Sequence, residues 1–330
     1  MPIPPLDRAS LTALVRDAGA APSMHNAQPW RFHYRSDSRT LRLEGDLDRA
    51  MPTTDPDRRA LHLGCGAALF NLRVAAAHAG LLPRIRLLPD AADQLLLATV
   101  DFDEPAPPDG TDVPAELYPA IRQRHTSRWP FAEKDIPEEV RSALVDAARL
   151  EGARLIFPDD WHRDVLRDLV HDAEGRDGLT PDRLRDVERW TRLGDEADTA
   201  TEGVPEYAFG PRPHRSGAAV RDFAGRRPVA DRGTTAFEDD PHLALLGTAE
   251  DGPVDWLRAG QAMERVLLVA TLGGLATSLT SHPLETPELR SLARDPLSSM
   301  GHVQMVLRLG YGPTGPATPR RPVRDILTVA

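Results

Sequence analysis

APSMHNAQPWRF, residues 21–32, packs a Pro-Ser turn, two amides, a histidine and an aromatic Trp-Arg-Phe tail into one short stretch. Asn26 and Gln28 each carry a carbonyl acceptor and an NH2 donor, the groups needed to read a flat ring edged with alternating donors and acceptors. A second stretch, RQRHTSRWPF at 122–131, supplies what the first lacks. Arg124, Thr126 and Arg128 fall on one face of an extended segment, where the two guanidinium forks and the hydroxyl can grip a phosphate. The stretches are expected to form opposite walls of a single site, so the two halves of the chain must meet there.

Composition narrows the classes that such a site can serve. The 330 residues carry 41% apolar side chains, ample for a core, and a net charge of −10. That charge, without a local basic patch, argues against nucleic acid or an anionic membrane as partner. Cys65 is the only cysteine, which excludes a disulfide framework or a cysteine-based metal site within one chain. His62, His78, His162 and His171 show no metal-ligand spacing, and LGCGAALF lacks a dinucleotide fingerprint. No export signal is evident at the N-terminus, and no apolar run is expected to reach the length of a membrane span. A soluble, cytoplasmic protein is the expectation.

Working outward from the two stretches, the pattern predicts a helix over 6–19, strands over 30–35 and 40–46, and a long helix over 57–79 closed by Gly80. Strands follow over 83–90 and 94–102, and then a Pro/Gly/Asp-rich linker at 104–114. The second half reads as a helix to 150, a strand at 154–158, polar helices near 159–173 and 181–193, and a long irregular region over 195–252. That region is too long for an ordinary connection and is expected to act as a lid. An apolar helix over 253–276, a Ser/Thr/Pro loop and a strand at 302–312 complete the chain. The long helices align without a gap, 61–81 on 255–275, with identities at Leu63/Leu257, Gly66/Gly260, Ala68/Ala262, Ala76/Ala270, Gly80/Gly274 and Leu81/Leu275. The match points to an internal duplication, with halves at 1–110 and 115–330, whose central helices approach closely at small residues.

The PS-x-x-N-x-QPW pattern at 22–30, the RHTSR pattern at 124–128, EGVPEYAFGP at 202–211 and GYGP followed by Arg320 and Arg321 resemble the FMN-dependent nitroreductases, in particular their fused, Acg-like branch. The resemblance spans nearly the whole chain. It implies an α+β fold, internally duplicated as a fused pseudo-dimer of central helices and small mixed sheets, with FMN between the halves. The first half lacks the arginine grip and the second lacks the PS-x-x-N-x-QPW segment, so one FMN is expected rather than two. A monomer is the expected state, because fusion removes the usual reason for a homodimer.

By the same resemblance Arg124, Thr126 and Arg128, with Arg320 or Arg321, hold the phosphate and His125 belongs to the cofactor site, while Ser23 and Asn26 contact the flavin from the other side, Met24 lines the pocket, and Gln28 fixes the turn or reaches the ribityl chain. Ser278, Leu279 and Thr280, in the LATSLTS segment at 275–281, resemble the backbone that approaches flavin N5. Histidine is not required at position 25 by the pattern, and no side chain is expected to be catalytic, since the cofactor carries the chemistry. The implied activity is reduction of a flat acceptor, a nitroaromatic or a quinone, with NADH or NADPH as co-substrate. The rival reading is an FMN-sequestering or storage protein whose lid closes over the flavin.

Overall fold

Two helices of 20 residues, Arg59–His78 and Pro253–Leu272, lie against each other at the centre of the molecule. The computed structural model describes residues 6–105, 115–177, 180–214, 220–224 and 227–330. From residue 106 onward the expected linker lies outside the described residues. Each helix starts on a carboxylate: Asp55 accepts from the Ala60 and Leu61 amides, and Asp255 from the Gly252 amide. The first turn has donors that no carbonyl of the helix can satisfy, and an anionic acceptor also suits the helix dipole there. Past the other end, Gly80 and Gly274 adopt φ of 74° and 75° and close both helices in the same way. Where the helices cross, a Cβ on Gly66 would lie 2.3 Å from the Leu257 carbonyl oxygen, and one on Gly260 would lie 2.2 Å from that of Leu63. Only glycine permits this approach.

A sheet flanks each side of the helix pair. The first runs, edge to edge, Leu327–Val329, Trp30–Arg35, Thr40–Gly45, Leu96–Pro105, Pro83–Leu87; the second runs Ala276–Thr280, His302–Gly310, His242–Thr248, Arg154–Ile156. Leaving aside the C-terminal strand, each half follows the chain order helix, strand, strand, central helix, strand, strand. Each also sets its strands in the spatial order third, fourth, second, first. The C-terminal strand crosses over to pair in parallel with Trp30–Arg35, Phe32 opposite Leu327, and ties the end of the second half to the sheet of the first. One large apolar core joins Trp30, Phe32 and Leu69 to Leu246, Val266 and Leu307.

Three expectations are corrected here. The region expected to be a lid over 195–252 ends in a core strand, His242–Thr248, between two partners of the second sheet. Its Ala244, Leu245 and Leu246 are fully buried, and a strand covered on both faces has no apolar/polar alternation to reveal it. The segment expected as a loop at 275–281 contains the edge strand Ala276–Thr280, Leu279 opposite Leu307, whose small polar side chains hid the pattern. Finally, the Arg59–His78 helix is long and apolar enough by composition to cross a membrane, although 89% of the relevant window is buried inside the protein, as suits a core helix.

Candidate functional site

The PSMHNAQP turn is built on strained backbone. His25, Asn26 and Gln28 have φ of 49°, 55° and 55°, a left-handed conformation that asparagine tolerates better than most side chains. Internal bonds hold it: Ser23 Oγ accepts from the Gln28 amide at 2.9 Å, and the Ser23 carbonyl from the Asn26 amide at 3.0 Å. Across from it the 124–128 segment leaves the short helix Ala120–Gln123 in extended form. It is held beside the edge strand by a parallel bridge from Thr126 to Thr277 and by the Ser127 amide, which donates to the Thr277 carbonyl at 2.8 Å.

Between these walls lies a recess of about 1000 Å³, open solvent at its mouth included, in which about 90 Å³ is accessible to water-sized groups. Five arginines, Arg59, Arg124, Arg128, Arg221 and Arg320, line it, and among the described residues no Asp or Glu does. Arg124 and Arg320 share one corner, where both donate to the Ala20 carbonyl, at 3.2 and 3.0 Å. Burial, with Arg124 beside it, pushes Arg320 down to about 9, and burial pushes Arg128 down to about 10. Behind Arg124, Glu264 is fully buried, 3.6 Å from the guanidinium Nε. Its carboxyl is pushed up to about 6 by burial, against the pull of Arg124.

Of the residues singled out in the sequence, Ser23, Met24, Asn26, Arg124, Thr126, Arg128, Ser278, Leu279 and Arg320 line the cavity. The other four do not. Gln28 is buried in the turn, where it donates to the Asn26 and Thr201 carbonyls and accepts from the Arg321 amide at 2.8 Å. Arg321 turns away to the Gln28 and Trp30 carbonyls and to Asp46. His125 is half-buried outside the lining, and Thr280, between the lining residues Leu279 and Ser281, is itself buried and does not line the cavity. The Asn26 amide is satisfied within the protein: Nδ2 donates to Gly203 and Pro319, and Oδ1 accepts from Arg320 at 2.9 Å. In this structure the two amides tie the turn to the lid and the C-terminal tail.

Residues outside the matched motifs complete the lining. Val204, Val220, Arg221 and Phe223 come from the region expected to be a lid, Leu63 and Gly64 from the first central helix, Met263 from the second, and His282 from the turn after the edge strand. The described stretches 204–214 and 220–224 gave no periodic signal; the resemblance of 202–211 pointed to this region, and Val204, Val220, Arg221 and Phe223 are the residues of it that line the cavity. Gly210, at φ of 72°, sits so close to the 124–128 segment that a Cβ would lie 2.1 Å from the Arg128 carbonyl oxygen. Arg128 in turn donates to the Ala208 carbonyl at 3.0 Å and stacks over Phe223 at 4.9 Å.

The nitroreductase family model matches residues 121–311, the portion that holds the arginine wall, the lid and the second central helix. A Mycobacterium tuberculosis protein provisionally named as the NAD(P)H nitroreductase Rv3131 is 34% identical over 331 residues, covering 97% of this chain and 90% of that protein. A second from the same organism, provisionally named as the NAD(P)H nitroreductase Acg, is 31% identical over 328 residues, covering 97% of this chain and 95% of its own length. The chain belongs to the nitroreductase family. Among solved structures, an FMN-bound nitroreductase from Bacteroides fragilis overlaps 62% of this chain and 93% of its own, at 15% identity and a TM-score of 0.37, too loosely to add to the assignment.

Proposed function

We propose that this protein is an FMN-dependent NAD(P)H oxidoreductase of the nitroreductase type, which reduces a flat acceptor such as a nitroaromatic or a quinone. The observation that carries the reading is the charge of the cavity: five arginines line it without a carboxylate among the described residues. Glu264 and Glu285 lie against Arg124 and Arg221, but among the described residues no ion pair reaches Arg128; burying such a guanidinium is costly, and the phosphate of FMN, with close to two negative charges, would offset that cost. The Nε atom of Arg320 is buried without a hydrogen-bond partner, whereas that of Arg124 faces Glu264 at 3.6 Å, so Arg320 has a donor to offer in this corner. Arg124, Arg128, Thr126 and Arg320 would hold the phosphate end, with Ser23 and Met24 on the opposite wall. When bound, FMN would supply the redox chemistry, hydride and electron transfer between the nicotinamide and the acceptor. The protein's own part is to bind, to orient and to exclude water.

A single FMN per chain follows from the pairing of the halves. By the offset that relates the central helices, Asn71 and Glu264 correspond to Arg265 and Phe70. Near that second pair, buried Glu151 accepts from Arg73 at 2.5 Å and from Arg265 at 2.9 Å. A carboxylate of the protein occupies the cations there. Anaerobic titration of the purified protein with NADPH and then NADH, with flavin counted per chain, tests the proposal: one FMN that either nicotinamide bleaches is the expected result, and a protein that binds no FMN defeats it. The docked lid favours a second reading, an FMN-sequestering protein, which predicts flavin that dithionite bleaches and neither nicotinamide does.

A further inference from the structure

Besides the bonds of Asn26 and Gln28 to Gly203 and Thr201, the 195–252 region meets the strained turn at Arg221. Arg221 donates from one Nη1 to His25 Nε2 at 3.0 Å and to Glu285 Oε1 at 2.8 Å. Glu285 is held in place by the Ser281 hydroxyl, which donates to the same oxygen at 3.0 Å. Next to Arg221, Phe223 meets the His25 ring edge to face at 5.3 Å. His25 is 5% exposed and its backbone lies at φ of 49°, so the turn presents this ring to the lid in a fixed orientation. An imidazole accepts at Nε2 only when its proton is on Nδ1 and its charge is zero.

We propose that His25 is the proton-sensitive catch of the lid: neutral, it accepts the Arg221 guanidinium and keeps the cavity closed; protonated, it loses that lone pair, repels Arg221 and releases the lid. Arg221 and Phe223 from the lid, Arg128 from the opposite wall and His282 from the turn after the edge strand all face His25 or its immediate surroundings, with Glu285 behind Arg221. In this closed form burial, Arg221, Arg128 and His282 hold His25 well below its usual range. With the lid open the ring returns to an ordinary value of about 6.5. A base whose closed-state affinity for protons is lowered favours closure above its open-state value and loses that contribution as pH falls below it. The loss is about tenfold in the opening equilibrium between pH 7.5 and 5.5. His282, pushed down to about 3 mainly by burial, acts in the same sense if the lid exposes it. Glu174, beside Asp222 and Arg221 and pushed up to about 7 by burial, acts in the opposite sense. The catch is therefore read as a difference between wild type and His25→Asn, in which those two groups cancel. Asparagine suits the left-handed backbone and does not titrate.

The first readout rests on the proposed FMN site and is the rate of FMN release after dilution of the holoprotein, followed by flavin fluorescence. The ratio of wild-type to His25→Asn release rates is expected to rise about tenfold from pH 7.5 to 5.5, and Arg221→Ala is expected to release FMN faster than wild type at pH 7.5. A ratio that stays constant, or Arg221→Ala releasing as slowly as wild type, overturns the catch. A protein that holds no FMN defeats the functional proposal but leaves the catch testable. Amide exchange over 195–214, corrected for intrinsic rates, should then lose protection between pH 7.5 and 5.5 in wild type by more than in His25→Asn, and equal losses overturn it.

Discussion

Arg124, Arg128 and Glu264 show how the site balances its charges. Each charge-assisted hydrogen bond contributes about 1.5–3 kcal/mol, so exchanging Arg124 and Arg128 together for Ala is expected to weaken FMN binding by at least a hundredfold, measured by fluorescence titration. Retained stoichiometric flavin would place the phosphate elsewhere. Glu264 behaves differently. Its carboxyl is raised by burial, to about 6, so it contributes to stability below its unfolded value of about 4.3 and loses that contribution as pH rises through about 6. Glu264→Gln should flatten the melting temperature across that window; an unchanged slope in thermal melts at several pH values would show that Glu264 does not titrate there. The motif residues were legible because their chemistry is local. His25, Arg221 and Phe223 were not legible as a set, because their role arises from contacts across nearly two hundred residues of sequence.

At the scale of elements, the crossing of the two central helices is the least tolerant feature. A methyl group at Gly66 meets the Leu257 backbone at 2.3 Å, and overpacking of this kind typically costs about 1–3 kcal/mol or more. Gly66→Ala should therefore lower the melting temperature by several degrees, and because backbone has to move it should also loosen the cavity, seen as weaker FMN retention. An unchanged melt would mean that the helices can separate without cost. Both helices were readable from apolar content and their glycine caps. The strands His242–Thr248 and Ala276–Thr280 were not, since one is buried on both faces and the other is short and rich in small polar residues.

Over the whole molecule, the chain after Gly310 ties the halves together. The tail supplies Arg320 to the cavity, accepts from the Ser127 hydroxyl at the Pro313 carbonyl, and ends as a strand of the first sheet. Truncation after Gly310 should lower thermal stability and abolish FMN retention together. Loss of flavin with an unaltered melt would confine the tail's role to the site, and an unaltered melt with full flavin would mean that the halves need no tie. The single arginine wall, present in one half and facing the PSMHNAQP turn of the other, is what makes a single cofactor per chain the expected stoichiometry.

The sequence by itself determined the central helices, the family motifs, the two walls of the site and the chemistry of the ligand they suit, because each is written in residue type and short-range spacing. Tertiary structure alone decided which guanidinium faces the cavity and which turns into the turn's own carbonyls, where Asn26 and Gln28 direct their amides, and which side chains of the 195–252 region line the cavity. Those outcomes depend on competition among partners brought together by folding, and neighbouring arginines such as Arg320 and Arg321 are chemically identical until the backbone separates them.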